Sequence, residues 1–166
     1  MVLIDGKKVS AEVRARLAEE AKDLKEKTGK VPGLATVLVG DDPASAVYVR
    51  NKNKICRELG YQSFEKQLSA DTSEAELLQL IEELNSNNEV HGILVQLPLP
   101  DQIDSEKILQ AIDPNKDVDG FHPINMGRLG VGKALFTPCT PSGIIEVVYY
   151  YGIEISGKHA VVVGRS

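Results

Sequence analysis

The sequence predicts an α/β fold: a three-layer, mainly parallel sheet domain, followed by the truncated start of a Rossmann-like nucleotide-binding domain. Three observations predict it. Residues 34–39 and 92–96 are short apolar runs without charge, the pattern of strands buried on both faces. Between them lie segments with apolar residues every three or four positions, which is the order of βαβ crossovers. The third is Ala160-Val161-Val162-Val163-Gly164, which has the form of a first strand and first glycine of a phosphate-binding turn.

Each element has its own signal. Val9, Val13, Leu17, Ala21 and Leu24 put an apolar stripe on a first helix, with Ser10 its expected N-cap and Gly29 its stop. Asp41-Asp42-Pro43 turns the chain after the 34–39 strand. A second helix covers 44–59 and Gly60 closes it. Residues 61–68 alternate as a weaker strand. Ser73 and Glu76 form a capping box, and Leu77, Leu80, Ile81 and Leu84 give the third helix its apolar face. A short helix, 105–112, follows the 92–96 strand. Residues 113–138 are rich in Gly, Pro and Asn and are expected to be irregular, a length that marks function or disorder. Thr140 caps a further helix that starts at Pro141, runs to Tyr151 and stops at Gly152. Residues 159–163 are expected to form a last strand. The expected domains are 1–140, 141–157 as a connecting helix, and 158–166 as the opening strand and loop of a second domain whose remainder is absent. The competing topology adds the last strand to the first sheet.

Composition excludes several functions. The 166 residues carry 24 acidic against 19 basic side chains, a net charge of −5, so the basic field of a nucleic-acid binder is missing. No apolar run approaches the roughly 20 residues of a membrane helix. The N-terminus has no basic segment leading into an apolar one, so no secretory signal is read and a cytoplasmic location is expected. Cys56 and Cys139 make neither a disulfide framework nor a zinc site.

Four features could carry chemistry. On the second helix Tyr48, Lys52, Ile55 and Leu59 share one line, and Tyr48 and Lys52 are neighbours four apart. A lysine on an inward face either snorkels its ammonium to water or passes protons beside an aromatic platform. Gln96 ends a buried strand ahead of Leu97-Pro98-Leu99-Pro100, where open α/β sheets bind ligands. It either bonds a ligand or side chain there, or satisfies loop backbone. Asp117 and Asp119 lie two apart in Lys116-Asp117-Val118-Asp119-Gly120-Phe121-His122-Pro123, without the glutamate that completes a calcium loop. They either accept hydrogen bonds from a nitrogen-rich ligand or shape an Asx turn. His122 has no Ser or Cys partner in a triad arrangement. Thr137-Pro138-Cys139-Thr140-Pro141-Ser142-Gly143 puts N–H groups at a helix start, an anion site or a plain cap.

Together these segments resemble the bifunctional methylenetetrahydrofolate dehydrogenase/methenyltetrahydrofolate cyclohydrolase family. Pro32-Gly33-Leu34, Val37 to Gly40, Ala44-Ser45 through Tyr48 to Lys52, Gly92 to Pro100, Lys116 to Pro123, Gly127-Arg128-Leu129 and Thr137 to Pro141 carry the resemblance, in order along the chain. It implies oxidation of 5,10-methylenetetrahydrofolate by hydride transfer to NADP, with NAD the other candidate, then hydrolysis of the methenyl product to 10-formyltetrahydrofolate. It implies a folate-binding catalytic domain over 1–140 and no metal. Lys52 matches the catalytic lysine, Tyr48 the tyrosine that stacks on the folate, Gln96 the glutamine that bonds the lysine, and Asp119 the carboxylate that holds the pterin. Gly164, Arg165 and Ser166 match the start of the cofactor's phosphate loop, and an arginine there favours a 2′-phosphate. The expected partners are the folate substrate and, for the complete protein, a second copy as a homodimer, with neither nucleic acid nor membrane. A non-catalytic folate-binding fragment is the alternative. The 96–100 block together with Tyr48 and Lys52 argues against a different α/β oxidoreductase.

Overall fold

The computed structural model describes residues 3–164. The element order is α1 (Gly6–Thr28), β1 (Gly33–Val39), α2 (Pro43–Glu58), β2 (Gln62–Leu68), α3 (Glu74–Ser86), β3 (Gly92–Val95), α4 (Ser105–Ala111), α5 (Pro123–Gly130) and α6 (Cys139–Tyr150). The strands form one parallel sheet in the order β2-β1-β3, with Leu34 opposite Ser63 on one side and Gly92 on the other.

That order explains the layers. The β1-to-β2 crossover moves one way across the sheet and the β2-to-β3 crossover moves back. Two crossovers of one hand must then put their helices on opposite faces. On one face Ala35, Val37 and Val39 pack with Ile93 and Val95 against Leu77, Ile81 and Leu84 of α3 and Ile108 of α4. On the other, Thr36 is fully buried and donates its hydroxyl to Asn53 Oδ1 of α2 at 2.7 Å. The three-layer parallel expectation therefore holds. Ile81 is 0% exposed, so Ile81→Ala is expected to cost about 2–5 kcal/mol, read as a lower urea midpoint at unchanged slope.

Several elements differ from the sequence reading. α1 starts earlier, capped by Asp5, whose carboxylate accepts from Lys7 and Lys8 N–H; Ser10 lies inside the helix. The 113–138 stretch is not wholly irregular. It contains α5, whose start is capped by His122 Nδ1 accepting from Ile124 N–H. α6 begins at Cys139, one residue before the expected Thr140 cap, and has no side-chain cap on its N-terminus. Thr140 and Pro141 lie within its first turn.

The largest difference is at the end. Residues 158–164 form no strand, and Val161, Val162 and Val163 are 74%, 90% and 96% exposed. A valine run has β propensity, but a strand also needs a neighbour to accept its N–H groups, and none of the described strands lies beside it. Arg165 and Ser166 lie outside the described residues. Among the described residues no helix is long and apolar enough to cross a membrane.

Candidate active site

The second helix builds the site, with a buried stripe different from the one its apolar residues suggest. Ser45, Val49, Asn53 and Cys56 face the sheet. Tyr48, Lys52, Ile55 and Leu59 occupy the adjoining flank and line a cleft of about 570 Å³ with Leu34 and Leu94 from the sheet. The sheet is wider than α2, so the β3 side of that face stays open. Lys52 stands on a cleft wall, with its stem against apolar surface, rather than in the core.

Two further segments close the cleft. Val118 and Asp119 come from the loop after α4, and Cys139 and Thr140 from the first turn of α6. Gly92 admits the first of these, since a Cβ there would overlap Val118 Cγ1. Cys139 Sγ donates to the Val118 carbonyl at 3.6 Å and fastens α6 to the same loop.

Lys52 Nζ donates to Gln96 Oε1 at 3.2 Å. The glutamine cannot turn freely, because its Nε2 donates to the Leu97 carbonyl at 2.7 Å. Its oxygen is therefore held toward the ammonium. Gln96 N–H donates to the Val37 carbonyl at 2.9 Å, so this residue sits between β1 and β3, where the strand order reverses. From the sheet the cleft itself is lined by Leu34 and Leu94. Tyr48, 64% exposed, presents its ring at the mouth.

Burial pushes the Asp119 carboxyl up from its ordinary value, with the Lys52 charge pulling it partly back and the Asp117 charge adding to the rise. Burial also raises the Cys139 thiol, and Asp119 raises it further. A raised carboxyl means the folded chain holds that proton more tightly than the unfolded one. Its stabilising effect is present below the unfolded carboxylate range and is lost as pH rises through the raised value. Asp119→Asn is therefore expected to raise the melting temperature at pH 7 and leave it unchanged at about pH 3, where the unfolded carboxylate is protonated too. Calorimetric melts at the two pH values check this.

Tyr48, Lys52 and Asp119 thus line one cleft, and Gln96 is tied to it through Lys52. Asp117 does not join them. It is 1% exposed and accepts backbone N–H groups of its own loop, the structural side of the Asx-turn alternative. Gly164 does not line the cleft, and nothing lies within 4 Å of where its Cβ would be. Sequence reasoning placed Cys139 at the 137–143 helix start, an anion site or a plain cap, and did not identify its side chain as a cleft residue. No group of three or more His, Cys, Asp or Glu among the described residues could hold a metal.

The family model for the tetrahydrofolate dehydrogenase/cyclohydrolase catalytic domain matches residues 4–119. The chain belongs to this family. Bifunctional protein FolD 2 of Geobacter metallireducens is 60% identical over 99% of the chain and 57% of that protein. A crystal structure of the bifunctional FolD methylenetetrahydrofolate dehydrogenase/cyclohydrolase from Campylobacter jejuni superposes with a TM-score of 0.96 at 48% identity, over all of this chain and 59% of that one. The Trypanosoma brucei N5,N10-methylenetetrahydrofolate dehydrogenase-cyclohydrolase, solved with NADP and an inhibitor, matches at 0.91 and 36% identity, over 95% and 54%. The chain therefore spans little more than half the length of these relatives.

Proposed function

We propose that this chain carries the folate-binding and proton-transfer half of a 5,10-methylenetetrahydrofolate dehydrogenase/5,10-methenyltetrahydrofolate cyclohydrolase. The observation that carries the reading is the Lys52–Gln96 hydrogen bond at the edge of an apolar cleft shared with Tyr48 and Asp119. A pterin is flat and nitrogen-rich at one end. The apolar floor of Leu34 and Leu94 suits its plane, the Tyr48 ring suits stacking, and the Asp119 carboxylate suits its amino and ring N–H groups.

In the hydrolytic step, water adds to the methenyl carbon between N5 and N10 of the folate. The carbinolamine formed loses one proton, the C–N5 bond breaks, and the formyl group stays on N10. On this reading Lys52 relays protons between the added water and N5, supported by the Gln96 bond that holds its Nζ. A second positive charge beside the cationic substrate is partly offset by Asp119, which also faces the cleft.

The dehydrogenase step needs NADP, or NAD, to accept hydride from the methylene carbon. The 2′-phosphate preference rests on Arg165 and on the NADP held by the Trypanosoma brucei relative. Gly164, Arg165 and Ser166 are the proposed start of that site, with 158–166 opening its domain after 1–140 and the 141–157 helix. The described part of that segment is exposed and forms no helix or strand, and so no βα turn that could face a pyrophosphate. A homodimer of the longer protein belongs to the same proposal and rests on the family resemblance.

Titration calorimetry with tetrahydrofolate tests the site. Asp119→Asn keeps the shape and removes the charge and one acceptor, and is expected to cost about 1.5–3 kcal/mol of binding. An unchanged dissociation constant would make Asp119 a structural residue and remove it from the site.

A further inference from the structure

Asp117 is a carboxylate buried to 1% exposure without a salt bridge among the described ion pairs. Such a group is costly unless N–H donors surround it. Three do. Oδ2 accepts from His122 N–H and from Asn125 Nδ2, each at 2.9 Å, and Oδ1 accepts from Phe121 N–H at 3.4 Å. Asn125 is fully buried and also donates Nδ2 to the Pro114 carbonyl at 2.8 Å, so it ties both ends of the loop.

The same short segment is pinned from its other side. The Lys116 carbonyl accepts from Ile93 N–H at 2.7 Å, beside β3. The Lys116 ammonium donates to the carbonyls of Leu84, Asn85 and Asn87 at 3.1, 2.6 and 2.8 Å, at the end of α3. The Gly120 N–H then returns to the Asp117 carbonyl at 3.2 Å, closing a β-turn over 117–120 with Gly120 at φ 69. Asp119 is the third residue of that turn. Its carboxylate goes into the cleft while that of Asp117 goes to the α5 side.

We infer that Asp117, locked by Asn125, is the positioning residue that aims Asp119 into the cleft. It touches no substrate. By accepting the N–H groups of the two residues after the turn, it fixes where the turn ends and so where its third side chain points. The inference rests on the folate reading of the cleft.

A double-mutant cycle on the full chain tests it, with tetrahydrofolate as probe, calorimetric affinity as readout and circular dichroism as the folding control. Asp117→Ala removes all three acceptor contacts and is expected to weaken binding about tenfold, the loss of one well-placed hydrogen bond at Asp119. Asp117→Asn can keep one oxygen on His122 N–H and Asn125 Nδ2, and is expected to restore most of the affinity. Asp117→Ala added to Asp119→Asn should weaken binding no further than Asp119→Asn alone, since the first acts through the second. Multiplying losses, or wild-type affinity in folded Asp117→Ala, overturns the inference. Should Asp117→Ala not fold, Asn125→Ala, which removes one donor and leaves the carboxylate in place, carries the same comparison. Wild-type affinity in Asp119→Asn, or no binding by the unsubstituted chain, overturns instead the folate reading on which the inference stands.

Discussion

Lys52→Met is expected to lower hydrolysis of methenyltetrahydrofolate by roughly 10²–10⁴, the ordinary worth of general acid–base help, while the fold survives. Methionine keeps an unbranched stem of similar bulk on the cleft wall, so the packing with Ile55 along α2 persists. It removes the Nζ that Gln96 holds. The Gln96 oxygen is then left without its donor, but the residue is only half-buried and water can replace the ammonium. Lys52→Gln separates hydrogen bonding from proton transfer, because its amide can still donate to Gln96 and cannot relay a proton. Both variants should therefore fail alike. The check is steady-state hydrolysis against the unsubstituted chain, with circular dichroism as control. Turnover within threefold of the unsubstituted chain sinks the acid–base role, and a clear rescue by Lys52→Gln makes Lys52 an anchor for Gln96 instead.

The parts of this site that local chemistry dictates were legible in the sequence. A glutamine ending an apolar strand before two prolines has to stand at the strand's carboxyl end, and Gln96 does. Tyr48 and Lys52 had to be neighbours once 44–59 was helical. Which flank of α2 faces the sheet was not legible from apolar residues, because its buried stripe includes Ser45 and Asn53. Asn53 is inside because Thr36 of β1 donates to it, a pairing that no periodicity within either segment reveals. α5 was missed for a related reason. With glycines at 127 and 130 its helical preference is weak, and what supports it is the Asn125 bond to Asp117 and the His122 cap. The 159–163 strand failed in the opposite direction. Its residues favour a strand, and strand formation is a pairwise property that the run cannot supply alone. Cys139 enters the cleft only because the 113–138 loop folds back onto Val118, which is long-range information.

The 166-residue chain is expected not to reduce NADP with methylenetetrahydrofolate. Hydride transfer needs the nicotinamide carbon within roughly 3–3.5 Å of the folate's one-carbon unit, and without that hold the effective molarity of the pair collapses. On the proposed reading the folate side of that encounter is the cleft lined by Tyr48, Lys52 and Asp119, with Gln96 bonded to Lys52. The cofactor side requires backbone N–H groups and a helix N-terminus turned toward a pyrophosphate. The described residues after α6 offer neither, since Ile153 to Gly164 form no helix or strand. The two activities should therefore separate: hydrolysis of the methenyl compound persists at some level and dehydrogenation does not. The same segment should make the chain sticky. α6 has no buried residue, Ile144 and Tyr149 are 59% and 61% exposed, and Val161 to Val163 follow with still more apolar surface. Exposed apolar area on this scale favours association between copies. Sedimentation at rising concentration is expected to show growing oligomers, with Val162→Asp and Val163→Lys reducing them. The decisive assay is NADP absorbance on protein whose intact mass confirms termination at Ser166. Robust reduction there would overturn the two-domain reading, because the cofactor would be held without a further domain.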